Sequence, residues 1–134
     1  MVWYKRKAGV TMEFTDNQAI YLQIADFMCA NILQKKWQEG EKIPSIRDIA
    51  VKVEVNPNTA MRTYSYLQEQ GIIFNKRGIG YFVAEQGYQK TMELKRMQLL
   101  REDLPKMFRM LDLVDLSFED LRKHYQLYKK ELNN

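Results

Sequence analysis

Apolar residues recur along this chain with two different periods. Ile20, Ile24, Phe27, Met28 and Leu33 form a mostly helical stripe and predict a helix over about residues 18–37. Asp16 or Asn17 can cap its start, and Gly40 in "WQEGEKIPS" stops it, with Pro44 following in an extended connection. Ser45 stands three residues before Asp48, an acidic variant of the capping box. Ile46, Ile49, Ala50 and Val53 then supply a short inward stripe. That second helix, about nine residues long, needs tertiary packing to be stable. In "VNPNTAMRTY" Asn56 is a preferred N-cap and Pro57 fits the first helical position, where a missing N–H costs nothing. Ala60, Thr63, Tyr64 and Leu67 fall at i, i+3, i+4 and i+7 and predict the buried face of a third helix. Asn58, Arg62 and Ser65 lie opposite, Met61 on the flank, and Gly71 ends the helix.

The period changes in "GIIFNKRGIGYFVAE". Its runs "IIF" and "IGYFV" are β-branched and aromatic, and "NKRG" between them is a hairpin signal. The tip carries Lys76, Arg77 and Gly78, with Gly80 following. From Tyr88 the pattern is helical again through Met92, Met97, Leu100, Leu104, Phe108 and Leu111. Pro105 inside that pattern predicts a kink or restart near Leu104. Ser117 with Asp120 marks one more capped start, and Leu121, Tyr125, Tyr128 and Leu132 stripe the last helix.

This order predicts a mainly α fold with a small β-hairpin wing: a winged helix-turn-helix followed by two C-terminal helices. The expected organisation is an N-terminal extension over residues 1–15, with Met12 the more natural start. A DNA-binding winged helix-turn-helix follows over 16–87, and a helical tail over 88–134. The tail has apolar stripes but too little bulk for a separate core. Such an amphipathic pair packs on its own domain or on a copy of itself, and homodimerisation is the favoured job. Met92, Met97, Leu100, Leu104, Phe108, Leu111, Leu121, Tyr125 and Tyr128 are the expected seam.

Composition narrows the classes without choosing one. With 46% hydrophobic and 28% charged residues the chain reads as a folded protein and not a disordered one. No apolar run reaches the roughly 20 residues that cross a bilayer, and "MVWYKRKAGVT" lacks the hydrophobic core of a signal peptide. Cys29 is the lone cysteine, which excludes an internal disulfide and a multi-cysteine metal site. A reducing, cytoplasmic setting fits, with no membrane partner. The net charge of +4 is shared evenly between the two halves, so charge alone singles out no nucleic-acid surface.

Position does what bulk charge cannot. A short turn, Glu54–Val55–Asn56, between a short helix and an amphipathic one is how a helix-turn-helix places its second helix in a major groove. The front of that helix offers backbone N–H groups and a positive dipole end to a phosphate, with side-chain donors from Asn58 and Thr59. Arg62, one turn deeper, can reach guanine N7 and O6 bidentately. Arg47 would lie against the DNA backbone or groove edge, and Lys76 and Arg77 would enter the minor groove or grip phosphates. Taken singly, each is ordinary: an exposed arginine, a well-capped helix, a basic turn. Together they fall on one side of one predicted fold. No enzyme site competes, because His124 is the lone histidine and lies far from any carboxylate cluster. Cys29 reads as a packed thiol, and no phosphate-cradling glycine loop is present. No cofactor or metal is implied. The alternative from another class is a winged-helix protein-interaction module without specific DNA binding.

The segments "IYLQIA", "IPSIRDIA", "VNPNT", "YSYLQEQGII" and "GIGYFV", in that order over residues 19–83, resemble the DNA-binding domain of the GntR family of bacterial transcription regulators. The segment "LLREDLPKMFRMLDLVDLSFEDL" resembles the two-helix dimerisation tail of its YtrA-like subfamily. The resemblance implies a homodimer on a pseudo-palindromic double-stranded DNA operator, usually as a repressor. It also implies DNA-facing roles for Ser45, Arg47, Asn58, Thr59, Arg62 and Gly78. Asn56, Met61 and Ser65 complete the expected DNA-binding set from their positions on the third helix. Many relatives carry arginine where this chain has Pro57 and Met61, so the main readout falls to Arg62. A small-molecule effector stays open: the tail is small for a pocket of several hundred Å³, but a site between subunits, or between tail and DNA-binding domain, is compatible with it.

Overall fold

The computed structural model describes residues 12–15 and 18–133. Asp16 and Asn17, the expected caps of the first helix, and residues 1–11 lie outside the described residues. The chain divides into two compact units, one over residues 12–96 and one containing residues 97–134.

In the first unit, α1 (Ile20–Leu33) leads to α2 (Ile46–Lys52) and α3 (Pro57–Glu69), and then to an antiparallel hairpin of β1 (Ile73–Lys76) and β2 (Gly80–Val83). The long helix α4 (Gly87–Gln98) follows. α1 is shorter than its apolar pattern suggested. It ends at Leu33 because Lys35 turns into the left-handed region at φ 61°, well before Gly40. Its buried face is also rotated from the expected stripe. Ile24, Ala25, Met28, Cys29 and Ile32 are buried, while Ile20 is 45% exposed. Cys29 is packed as expected, and burial, the largest influence, pushes its thiol up to about 11.

Local signals placed the other starts correctly. The Ser45 hydroxyl accepts from the Asp48 N–H at 3.0 Å and caps α2. The Asn56 side chain accepts from the Asn58 N–H at 2.8 Å and caps α3, with Pro57 in its first turn. Between them Glu54 adopts φ 57°, a conformation that costs an L-residue roughly 1–2 kcal/mol and that turns α2 into α3. Ala60, Thr63, Tyr64 and Leu67 are all fully buried, as the periodicity predicts.

The core joins α1, α2, α3 and the hairpin root through Ile24, Met28, Ile49, Leu67, Ile72 and Val83. The two strands pair Ile73 with Val83 and Lys76 with Gly80. The tip is therefore Arg77–Gly78–Ile79, with Lys76 already inside β1, and Ile79 N donates to Lys76 O at 2.9 Å. Residues 40–43 run along the other edge of β2, with Ile43 N donating to Tyr81 O and Val83 N to Glu41 O. Residues 12–15 also belong to this unit. Gln23 brackets Thr15 with two hydrogen bonds of 2.9 and 2.7 Å, and Met12 and Phe14 pack on the core. α4 docks closely: Gly87 is buried, and the Asp26 carboxylate meets Lys95 at 2.6 Å.

In the second unit, a π-helical turn, Leu99–Asp103, leads into α5 (Leu104–Leu113). The irregularity expected at Pro105 is this turn, since proline offers no N–H to the preceding turn and crowds its carbonyl. A connection over residues 114–117 leads to α6 (Phe118–Leu132), whose start carries a full capping box between Ser117 and Asp120. The Ser117 hydrogen bonds hold the Asp120 carboxyl below its usual range.

Candidate nucleic-acid interface

The exposed row of α3 rests on a rigid base. Tyr64, fully buried, donates its hydroxyl to Pro44 O at 2.5 Å and meets the Tyr81 ring edge-on at 4.8 Å. One side chain thus ties α3 to the entry of α2 and to β2. Thr63, also buried, donates to Tyr21 O at 2.7 Å and ties α3 to α1. Both hydroxyls are satisfied, as buried polar groups must be.

From this base Asn58, Met61, Arg62 and Ser65 are exposed and Thr59 is half-buried. Arg47 is exposed at the second position of α2, and Ser45 and Asn56 are occupied as caps. The front of α3 offers less to a phosphate than its position suggests. Pro57 has no N–H, the Asn58 N–H is bound by Asn56 Oδ1, and the Thr59 and Ala60 N–H groups both donate to Asn56 O at 2.9 and 3.2 Å. The helix dipole and the side chains of Asn58 and Thr59 remain available there.

Arg62 is not a free arm. Its guanidinium carbon lies over the Tyr21 ring at 4.0 Å from the centroid, a cation–π contact. Tyr21 itself is half-buried and meets Tyr66 edge-on at 6.2 Å. Sequence reasoning missed Tyr21, although one signal was present: an aromatic residue in "AIYLQIA" that has no place in the apolar stripe of α1. On the wing, Lys76 lies over the Phe82 ring at 5.4 Å, while Arg77 and Gly78 are exposed at the tip. Gly78 has φ 79°, which favours glycine.

The expected seam divides between the units. Met92 lies in the first, half-buried on α4. Among residues 97–133 none is buried. Met97, Leu100, Phe108 and Tyr125 are exposed, and Leu104, Leu111, Leu121 and Tyr128 are half-buried. Further exposed apolar residues that the pattern did not single out include Leu99, Met107, Met110, Leu113, Val114 and Phe118. Among the described residues no cluster of three metal-ligating side chains forms, and no helix is long and apolar enough to cross a membrane.

Comparison with known proteins agrees with this architecture. Residues 20–83 match the family model described as bacterial regulatory proteins, gntR family. The chain is 38% identical over 109 residues to the HTH-type transcriptional regulator YhcF of Bacillus subtilis, covering 81% of this chain and 88% of that protein. It is 35% identical over 85 residues to the HTH-type transcriptional repressor YtrA of the same organism, covering 63% of this chain and 65% of that one. A GntR-family regulator from Bacteroides thetaiotaomicron superposes with TM-score 0.68 at 42% identity, covering 85% of this chain and 99% of that structure. A GntR-family regulator from Listeria monocytogenes superposes with TM-score 0.69 at 26% identity, covering 84% and 97%.

Proposed function

The chain belongs to the GntR family of bacterial regulatory proteins, and from that premise we propose that it acts as a homodimeric repressor on a pseudo-palindromic operator. It is a transcription regulator with a DNA-binding domain, not an enzyme. The observation that carries the DNA-reading proposal is the division of α3 into a fully buried face and an exposed row with one strong base-reading side chain, Arg62. In this reading α3 enters the major groove, Arg62 pairs with a guanine edge, and Asn58, Thr59 and Ser65 hold the register against phosphates and neighbouring bases. Arg47 flanks the groove, and Lys76, Arg77 and Gly78 approach the adjacent backbone or minor groove.

The dimer rests on the second unit. Among residues 97–133 no apolar side chain is buried, and a second copy would supply that burial. Two α3 helices would then meet half-sites about one helical turn apart. Repression is carried over from YtrA of Bacillus subtilis, a repressor by name.

Selection of bound sequences from random DNA by the full chain tests this. We expect two inverted half-sites and a dimer in sedimentation at the same concentration. Arg62→Ala should lose about 1–3 kcal/mol on the selected site and little on random DNA. Lys76→Ala or Arg77→Ala should weaken both and flatten the salt dependence. Equal losses on both DNAs for Arg62→Ala, or a monomer, sinks the corresponding part.

A further inference from the structure

Arg62 makes no hydrogen bond or ion pair among the described residues, yet it is not loose. It sits on Tyr21, and α3 holds Tyr21 in two further ways. Thr63, the residue next to Arg62, fixes the Tyr21 backbone through its carbonyl at 2.7 Å. Tyr66, one turn on from Arg62, buttresses the Tyr21 ring edge-on. The ring then lies under the Arg62 guanidinium at 4.0 Å. Three residues of α3, Arg62, Thr63 and Tyr66, therefore converge on one aromatic residue of α1.

A cation held over a ring is attracted through the ring face and not through its N–H groups. The contact restricts a side chain that otherwise loses considerable rotamer freedom when it docks, and it leaves the in-plane donors available for a guanine edge. We infer that Tyr21 is a positioning residue for Arg62: it pre-orders the guanidinium before DNA arrives and so contributes to sequence preference, not to general DNA affinity. This rests on the base-reading role of Arg62 proposed above. The chemistry also predicts an asymmetry. A phenyl ring keeps the π face and serves nearly as well, whereas an aliphatic side chain of similar bulk does not.

The test uses the full chain and the operator that it selects. Tyr21→Leu should bind the operator about 2- to 12-fold more weakly, the cost of immobilising one rotamer-rich side chain that the clamp otherwise orders in advance. Its affinity for random DNA and its salt slope should hold, because no charge is removed. Tyr21→Phe should behave as the unsubstituted protein. In an Arg62→Ala background Tyr21→Leu should have no further effect, the signature of two residues acting as one unit. Additive losses, a Tyr21→Leu protein with full operator preference, or equal losses on random DNA overturn the proposal.

An independent readout needs no variant to fold. In the free protein the Arg62 Nε–H signal should lie upfield of those of exposed Arg47 and Arg77, shielded by the ring beneath it. Coincident signals overturn the clamp. If Arg62→Ala abolishes operator preference and Tyr21→Leu leaves it intact, only the Tyr21 inference fails. If Arg62→Ala leaves preference intact, the base-reading role falls and takes this inference with it.

Discussion

Removing one oxygen, in Tyr64→Phe, tests how the exposed row of α3 is held. Tyr64 is fully buried, and its hydroxyl reaches Pro44 O at 2.5 Å, with Ser45 O at a longer 3.5 Å. The ring and its edge-on contact with Tyr81 survive the substitution, so packing changes little. What is lost is one net hydrogen bond, about 0.5–1.5 kcal/mol, and the Pro44 carbonyl is left without that donor, at about 1–3 kcal/mol if it stays dry. Pro44 is half-buried, so water can reach its carbonyl and the lower part of that range applies. We expect a net loss of about 1–2 kcal/mol, or a melting shift of roughly 5–10 °C for a unit of this size. Tyr64→Ala, which also removes the ring, should cost about 3–5 kcal/mol.

Urea titration at a fixed protomer concentration measures both, since a dimer's apparent stability depends on concentration. The alkaline limb gives a second reading. Burial, with the nearby Tyr81 and Asp48 charges, pushes the Tyr64 hydroxyl well above its usual range. Its contribution is complete below the unfolded pKa near 10 and is lost as pH rises above that, so Tyr64→Phe should flatten the decline. A Tyr64→Phe protein as stable as the unsubstituted one, or as damaged as Tyr64→Ala, refutes the reasoning.

Cys29, pushed up to about 11 chiefly by burial, should label with a thiol reagent only at the rate of opening. Its stability contribution is full below about pH 9 and is lost as pH rises towards 11, and Cys29→Ala should remove that slope, roughly 2–3 kcal/mol across the window. Gly87→Ala places a Cβ 2.7 Å from both Ile72 O and Val83 Cγ1, and should cost about 1–3 kcal/mol by denaturant titration. A stabilised Gly87→Ala protein, as helix propensity alone would give, contradicts that close approach. Glu54→Gly relieves a left-handed residue in the turn between α2 and α3 and should stabilise by about 0.5–1 kcal/mol, read as a rise in the denaturation midpoint. No gain would mean that the left-handed conformation is not strained there.

The sequence by itself determined the features whose physics is local. Asn56 with Pro57 and Ser117 with Asp120 start helices because a capping side chain reaches backbone only two or three residues away. The buried face of α3 followed from its own 3.6-residue period, and the wing from a change of period flanked by glycines. The same local rules could not set what depends on other elements. α1 stops at Leu33 and turns a different face inward, because its docking on α3 and not its own pattern chooses the face. The N–H groups at the front of α3 are taken by Asn56, which position in a helix does not reveal. Arg62 shows the limit most clearly. Spacing put it on the outer face of α3, and it is exposed. Its partner lies on α1, where Thr63 of α3 binds the Tyr21 backbone 42 residues away, and only the packing of the two helices brings that ring beneath the guanidinium. Periodicity describes a helix about its own axis, while a contact between helices depends on how the axes cross, and that is decided by the assembled core.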